Sequence, residues 1–210
     1  MIHNIQSEIN NIIQKEIEAI KNIPINENFE KAIDLIFHQV HNRGGKLIAS
    51  GMGKAGQIAL NIATTFSSSG TPAIFLHPSD AQHGDLGVLQ PNDIMLLISN
   101  SGKTREIIEL IDLSEKLVPG IPKILITGNK ETELSKKVNV LIHTGKPQEV
   151  CPLGLTPTTS TTVMTVIGDI LVVLMMKKIN FTIEEYAKRH HGGYLGEKSR
   201  NALNQTNKTL

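Results

Sequence analysis

Ser99, Asn100, Ser101 and Thr104 crowd around Gly102 in the stretch ISNSGKTRE, directly behind the apolar run DIMLLI. Small hydroxyls and an amide after a strand are suited to holding a phosphate. A helix that opens there offers free N–H groups and a positive dipole end, and short side chains add donors without blocking the backbone. The plain alternative is a helix N-cap, for which Ser and Thr are standard. Three hydroxyls and an amide exceed what one cap needs. Glu106, two residues past Thr104, sets a carboxylate beside this loop. It is placed either to move a proton or to complement the dipole of the helix it begins. Lys103, in the same stretch, finds no explanation.

Four further stretches carry chemistry-bearing residues. SGMGKAG holds Ser50, Gly51 and Lys54. Its glycine spacing is neither the Walker pattern nor a G-x-G-x-x-G, so a nucleotide module is disfavoured. Lys54 is free to meet a phosphate or a sugar oxygen. HPSDAQHGDLG holds His77, Asp80, His83 and Asp85, which are metal-ligand types without the spacing of a zinc site; hydrogen-bonding loop residues are the simpler reading, and no metal is expected. EVCPLGLTPTTSTT puts Glu149 near Cys151 and then five consecutive hydroxyl residues, 158–162, at the entry to an apolar helix. Two prolines and apolar neighbours favour a buried, inert thiol over a nucleophile. KRHHGGYLG ends a helix in glycine. His190 and His191 there either complement the helix C-terminus or supply a catalytic imidazole.

These stretches need a scaffold, and the apolar patterning supplies one. Runs rich in Ile, Leu and Val (KLIAS, PAIFLH, IMLLIS, KILIT, VLIHT) alternate with helical patterns and lack polar alternation, as strands buried on both faces do. The prediction is an α/β three-layer sandwich around a five-stranded parallel sheet, preceded by helices within residues 3–43. Ligands of such sheets bind beyond the carboxyl ends of the strands, where SGMGKAG, SNSGKT and TGN fall. The 210 residues support one domain over residues 1–200, and the polar stretch 201–210 reads as a disordered tail.

Composition limits the partners. A formal net charge of +1 and 3% aromatic residues without Trp argue against nucleic acid. The single Cys151 forbids an internal disulfide and suits a reducing cytosol. The N-terminus lacks the basic start and apolar core of a signal peptide. The most apolar helical stretch, Val163 to Met176, falls short of the roughly 20 residues a membrane span needs. A cytoplasmic protein without membrane partner is expected.

Taken in order, GMGKAGQIA, HPSDAQHGDLG, ISNSGKTREI, EVCPLGLTPTTSTT and RHHGGYLGEK resemble the sugar isomerase (SIS) domain family, and within it the D-arabinose 5-phosphate isomerases. The resemblance covers about residues 1–200. It implies interconversion of D-ribulose 5-phosphate and D-arabinose 5-phosphate through an enediol, without a cofactor, to supply the eight-carbon acid sugar Kdo for lipopolysaccharide or capsule. It implies catalytic roles for Lys54, Glu106, Glu149 and His190, and substrate contacts from Ser50, Gly51, His83, Ser99, Asn100, Ser101 and Thr104. It also implies a homotetramer with sites shared between subunits. The sequence departs from the family at Lys103, at His191 in place of a usual proline, and at Glu197 in place of a common basic residue. Longer members carry a pair of CBS modules after this domain. The sequence ends at Leu210, which raises CMP-Kdo as an inhibitor acting at the cleft itself. Two alternatives stand beside this reading: an isomerase of another phosphosugar, or a non-catalytic SIS sensor of sugar phosphates. A sensor has no need of Lys54, Glu106, Glu149 and His190 together.

Overall fold

The computed structural model describes residues 4–206. Its centre is a sheet of five parallel strands: β1 (Leu47–Gly51), β2 (Ala73–Phe75), β3 (Ile94–Ile98), β4 (Lys123–Thr127) and β5 (Val140–His143). Their order is β2-β1-β3-β4-β5. The three central strands are buried at every position. Successive side chains of a strand point to opposite faces, so each strand feeds two cores. Leu47, Ala49, Ile94, Leu96, Ile98, Ile124 and Ile126 face one. Ile48, Met95, Leu97 and Leu125 face the other. Burying one such side chain stabilises the fold by about 1.5–3 kcal/mol, which is why the strands read as unbroken apolar runs.

The first core is closed by α2 (Asn28–Ile36), α3 (Gly53–Ser68) and α7 (Thr159–Lys178); α5 (Arg105–Leu117) closes the second. Short helices α4 (Pro78–Ala81) and α6 (Glu133–Lys136) cap strand ends. Before the sheet lies α1 (Ile5–Lys21); after α7 come α8 (Ile183–Arg189) and α9 (Gly193–Thr206). The chain steps from β1 outward to β2, then crosses back past β1 to β3. That reversal opens a crevice beyond the carboxyl ends of β1 and β3. Gly51 and Ile98 are register partners there, so the loops after the two strands start side by side.

Several elements differ from the sequence reading. The glycine stretch placed after the first strand is not all loop: α3 starts at Gly53 and takes it into its first turn. Gly51 and Gly56 allow this: a Cβ on Gly51 would come within 2.7 Å of Ala55, and one on Gly56 within 2.6 Å of the Gly51 carbonyl. The helical region expected within residues 3–43 ends in a π-helical turn at Phe37–Asn42, where buried Gln39 donates to the Asp93 carbonyl at 3.4 Å. The tail expected to be disordered from 201 is helical as far as Thr206; 207–210 lie outside the described residues. The apolar stretch Val163 to Met176 lies within the 20-residue helix α7, which is long and apolar enough by length and composition to cross a membrane. Half of that stretch is buried in the protein, with Val163, Met164, Ile167, Leu171 and Met175 in the first core. It is a core helix of the sandwich.

Candidate active site

The loop after β3 is built around two backbone requirements. Gly102 has φ +64°, a region costly for residues with a Cβ, and an added Cβ would meet Thr132 Oγ1 at 2.8 Å. The Asn100 carbonyl accepts from Gly128 N at 3.0 Å, tying the loop to the end of β4. Thr104 stands at the N-cap of α5 but makes no side-chain cap bond. Its hydroxyl instead pairs with that of buried Ser99 at 2.8 Å. Ile107 N and Ile108 N both turn back to the Thr104 carbonyl at 3.2 Å. The capping reading therefore fails for Thr104, and the Arg105 and Glu106 N–H groups that open α5 stay available to an anion. Ser101 is exposed, its Oγ accepting from Lys103 N at 3.2 Å. Glu106 is half-buried in the first turn of α5.

Lys54 is exposed in the first turn of α3, across the crevice from this loop. Ser50 is placed differently from its expected role: it is fully buried and donates to the Leu76 carbonyl at 2.7 Å. Gly51 serves the close approach of β1 and α3 described above. His83 is exposed on the turn after α4. His77 Nδ1 lies 3.7 Å from Asp80 Oδ2. Among the described residues, no group of three or more His, Cys, Asp or Glu side chains is gathered to hold a metal.

Glu149 sits in the segment between β5 and α7, against the start of α7. Its Oε2 accepts from Thr158 N at 2.7 Å, Thr158 Oγ1 at 3.0 Å and Ser160 N at 3.2 Å. Burial pushes the carboxyl up, but the Thr158 and Ser160 donors outweigh it and hold it below the usual carboxylate range. Among the described residues, its accepted bonds fall on Oε2, which leaves Oε1 for a ligand. The hydroxyl run at 158–162 was the sequence signal for this holder. Nothing in the sequence pointed to Glu16 of α1, whose Oε1 accepts from Thr159 Oγ1 at 2.8 Å. Beside Glu149, a cavity of about 480 Å³ opens between α1 and residues 144–150, lined in part by Lys15, Lys146 and Gln148. Cys151 is half-buried rather than buried. Burial pushes its thiol up, and donors from the turn, led by Thr156 N at 3.1 Å, bring it below its ordinary value.

His190 is placed apart. It stacks on Tyr186 with ring centroids 3.8 Å apart, and its Nδ1 lies 3.0 Å from the Tyr186 carbonyl. Tyr186 meets Phe181 edge-on, and Phe181 fills the space beside Gly70 at the far end of α3. Glu149 is at one end of α7, and His190 follows from the other. Twenty helical residues span about 30 Å. Phe181 beside Gly70, Tyr186 on Phe181 and His190 on Tyr186 hold His190 at that end instead of returning it toward Glu149. One chain thus sets the Ser99–Thr104 loop with Glu106, and the start of α3 with Lys54, directly after two neighbouring strands. It holds Glu149 at the start of α7 and keeps His190 away from Glu149.

A parallel sheet of this order, with a hydroxyl loop at its crossover point, is built to take ligands beyond the carboxyl ends of its strands. The SIS domain family matches residues 39–174, and the chain belongs to it. It is 45% identical over 189 residues to the arabinose 5-phosphate isomerase KdsD of Yersinia pestis, covering 89% of this chain and 56% of that one. It is 41% identical over 197 residues to KdsD of Francisella tularensis, covering 91% and 59%. The chain thus spans little more than half the length of these curated relatives. Among solved structures, a Bacteroides fragilis protein assigned as a phosphosugar isomerase involved in capsule formation superposes with a TM-score of 0.90. It is 62% identical, covering 91% of this chain and all of that one. An Escherichia coli CFT073 protein in complex with arabinose 5-phosphate superposes at 0.79 with 32% identity, covering 87% and 95%.

Proposed function

We propose that this chain is an arabinose 5-phosphate isomerase, interconverting D-ribulose 5-phosphate and D-arabinose 5-phosphate. The observation that carries the reading is the Ser99–Thr104 loop. It holds three hydroxyls and a helix N-terminus, none of it consumed by capping, at the crossover of the sheet, with Glu106 in the next turn. The names of the KdsD relatives and the bound sugar phosphate of the Escherichia coli protein support the substrate.

Ser99, Asn100, Ser101, Thr104 and the first turn of α5 hold the phosphate, which fixes the sugar without touching the reacting carbons. By family resemblance, His83 and the Gly51 turn are assigned further substrate contacts. A carboxylate then takes the proton from C1 of ribulose 5-phosphate, the carbonyl at C2 becomes the enediol, and a proton returned to C2 gives the aldose. Glu149 is the better positioned base: its Oε2 is fixed by three donors, which keep it ionised at neutral pH at some cost in basicity. Glu106 moves protons between the oxygens at C1 and C2. Lys54 offsets the negative charge that develops on them. His190 opens the sugar ring. The distance between His190 and Glu149 along α7 supports a site completed by the His190 of another copy, and hence a homo-oligomer, a tetramer by family resemblance. The exposed isoleucines of α1, among them Ile5, Ile9 and Ile13, support such contacts.

Arabinose 5-phosphate would feed Kdo synthesis for lipopolysaccharide or capsule in the cytoplasm. CMP-Kdo is proposed as an inhibitor; the cavity beside Glu149 supports space for more than a pentose phosphate, and a titration of activity with CMP-Kdo tests it. The substrate itself is tested by a screen of five-, six- and seven-carbon aldose and ketose phosphates. The five-carbon pair should give the highest kcat/KM. Preference for a longer sugar, or no turnover of any, overturns the assignment.

A further inference from the structure

We propose that Glu16 on α1 is a positioning residue for Glu149, acting through the hydroxyl of Thr159. Thr159 Oγ1 donates its single proton to Glu16 Oε1 at 2.8 Å and accepts from Val150 N at 3.1 Å. Because a hydroxyl has one proton, giving it to Glu16 fixes the lone pairs toward the Val150 N–H. The backbone next to Glu149 is thereby pinned to the first turn of α7. The Glu149 carboxylate is pinned to the same turn by Thr158 and Ser160. Both ends of the residue are therefore fixed, and one fixture depends on a carboxylate 143 positions before Thr159 in the chain.

Stability alone does not account for Glu16. Its Oε2 is buried with no hydrogen-bond partner among the described residues. A buried carboxylate oxygen without a donor is destabilising, so the residue is held at a cost to the fold. A base that must meet a C–H bond has tight geometric demands, and small displacements of such a group cost large factors in rate. The catalytic consequence rests on the isomerase reading above; the link from Glu16 to Val150 does not.

The test uses the full chain with Glu16→Ala, Glu16→Gln and Thr159→Val. Two quantities are read: steady-state turnover of ribulose 5-phosphate, and amide hydrogen exchange at Val150. Glu16→Ala should lower kcat about ten-fold with KM within about two-fold, since the phosphate loop is untouched. Thr159→Val should do the same, and the double variant with Glu16→Ala should be no worse than either alone. Glu16→Gln keeps an acceptor oxygen and should recover kcat to within about three-fold of the parent. Val150 exchange should speed up about ten-fold in the Ala and Val variants and stay slow in the Gln variant. Unchanged Val150 exchange in Glu16→Ala overturns the link. Faster exchange with unchanged kcat overturns the positioning role. A wild-type chain that does not turn over ribulose 5-phosphate overturns the isomerase reading instead, and Val150 exchange then decides the link by itself.

Discussion

Ser99 and Thr104 hold each other's hydroxyls at 2.8 Å instead of capping α5, and this pairing favours the proposed phosphate seat over an ordinary helix start. Replacing Thr104 by Val removes a hydrogen bond to a charged group, worth about 1.5–3 kcal/mol. The expected result is a ten- to hundred-fold lower kcat/KM, with most of the change in KM. Ser50→Ala should behave in the opposite way. Its hydroxyl is committed to Leu76, so KM should hold while thermal unfolding shows a loss of about 1 kcal/mol. The residue types of both loops were legible in the sequence, because hydroxyls and glycines behind an apolar strand have few other uses. Which hydroxyl faces the ligand and which is spent on the backbone was not legible, since Ser and Thr serve both tasks with the same atoms. Lys103 stays without a structural account beyond its backbone bond to Ser101.

Helices α3 and α7 meet at Gly168, where a Cβ would come within 2.4 Å of the Ile62 side chain. Ile62 is in the core and cannot swing away. Gly168→Ala should therefore destabilise by about 1–3 kcal/mol despite its better helix propensity, and Ile62→Val should restore part of the loss when combined with it. Chemical denaturation of the two single variants and the double variant checks this. Acid should weaken the same framework. Burial holds His41 and His143 below the usual histidine value, and donors at the start of α7 hold Glu149 below the carboxylate range. Each depressed group contributes stability above its unfolded-state pKa and loses it as pH falls through the folded one. The melting temperature should drop between about pH 7 and pH 5 through the histidines, and further below the carboxylate range through Glu149. His143→Gln should shrink the first drop. The strands and major helices were legible because their apolar residues recur with the period of the element. The final helix α9 was not: its polar composition looks like a tail, and its place comes from packing on α8.

For the whole molecule, the length of α7, about 30 Å, is the governing dimension. It puts Glu149 and His190 at opposite ends of a helix that the sandwich cannot bend. A site needing both draws them from different copies. Glu149→Gln and His190→Ala should each be inactive alone, and their mixture, after subunit exchange, should regain a sizeable fraction of parental activity. A mixture no more active than its parts would place both residues in one chain's site or remove one of them from catalysis. The exposed isoleucine stripe of α1 was visible as an amphipathic period, but the sequence could not say that the fold leaves most of it uncovered.

The isomerase reading is tested most directly by following ribulose 5-phosphate with the wild-type chain in heavy water by proton NMR. The account predicts arabinose 5-phosphate carrying deuterium at C2, because the proton passes through a carboxylate that exchanges with solvent. It also predicts at least a hundred-fold slower conversion by Glu149→Gln, the scale of a lost general base. Absence of arabinose 5-phosphate from the wild-type reaction, or conversion at the parental rate by a folded Glu149→Gln, would contradict it.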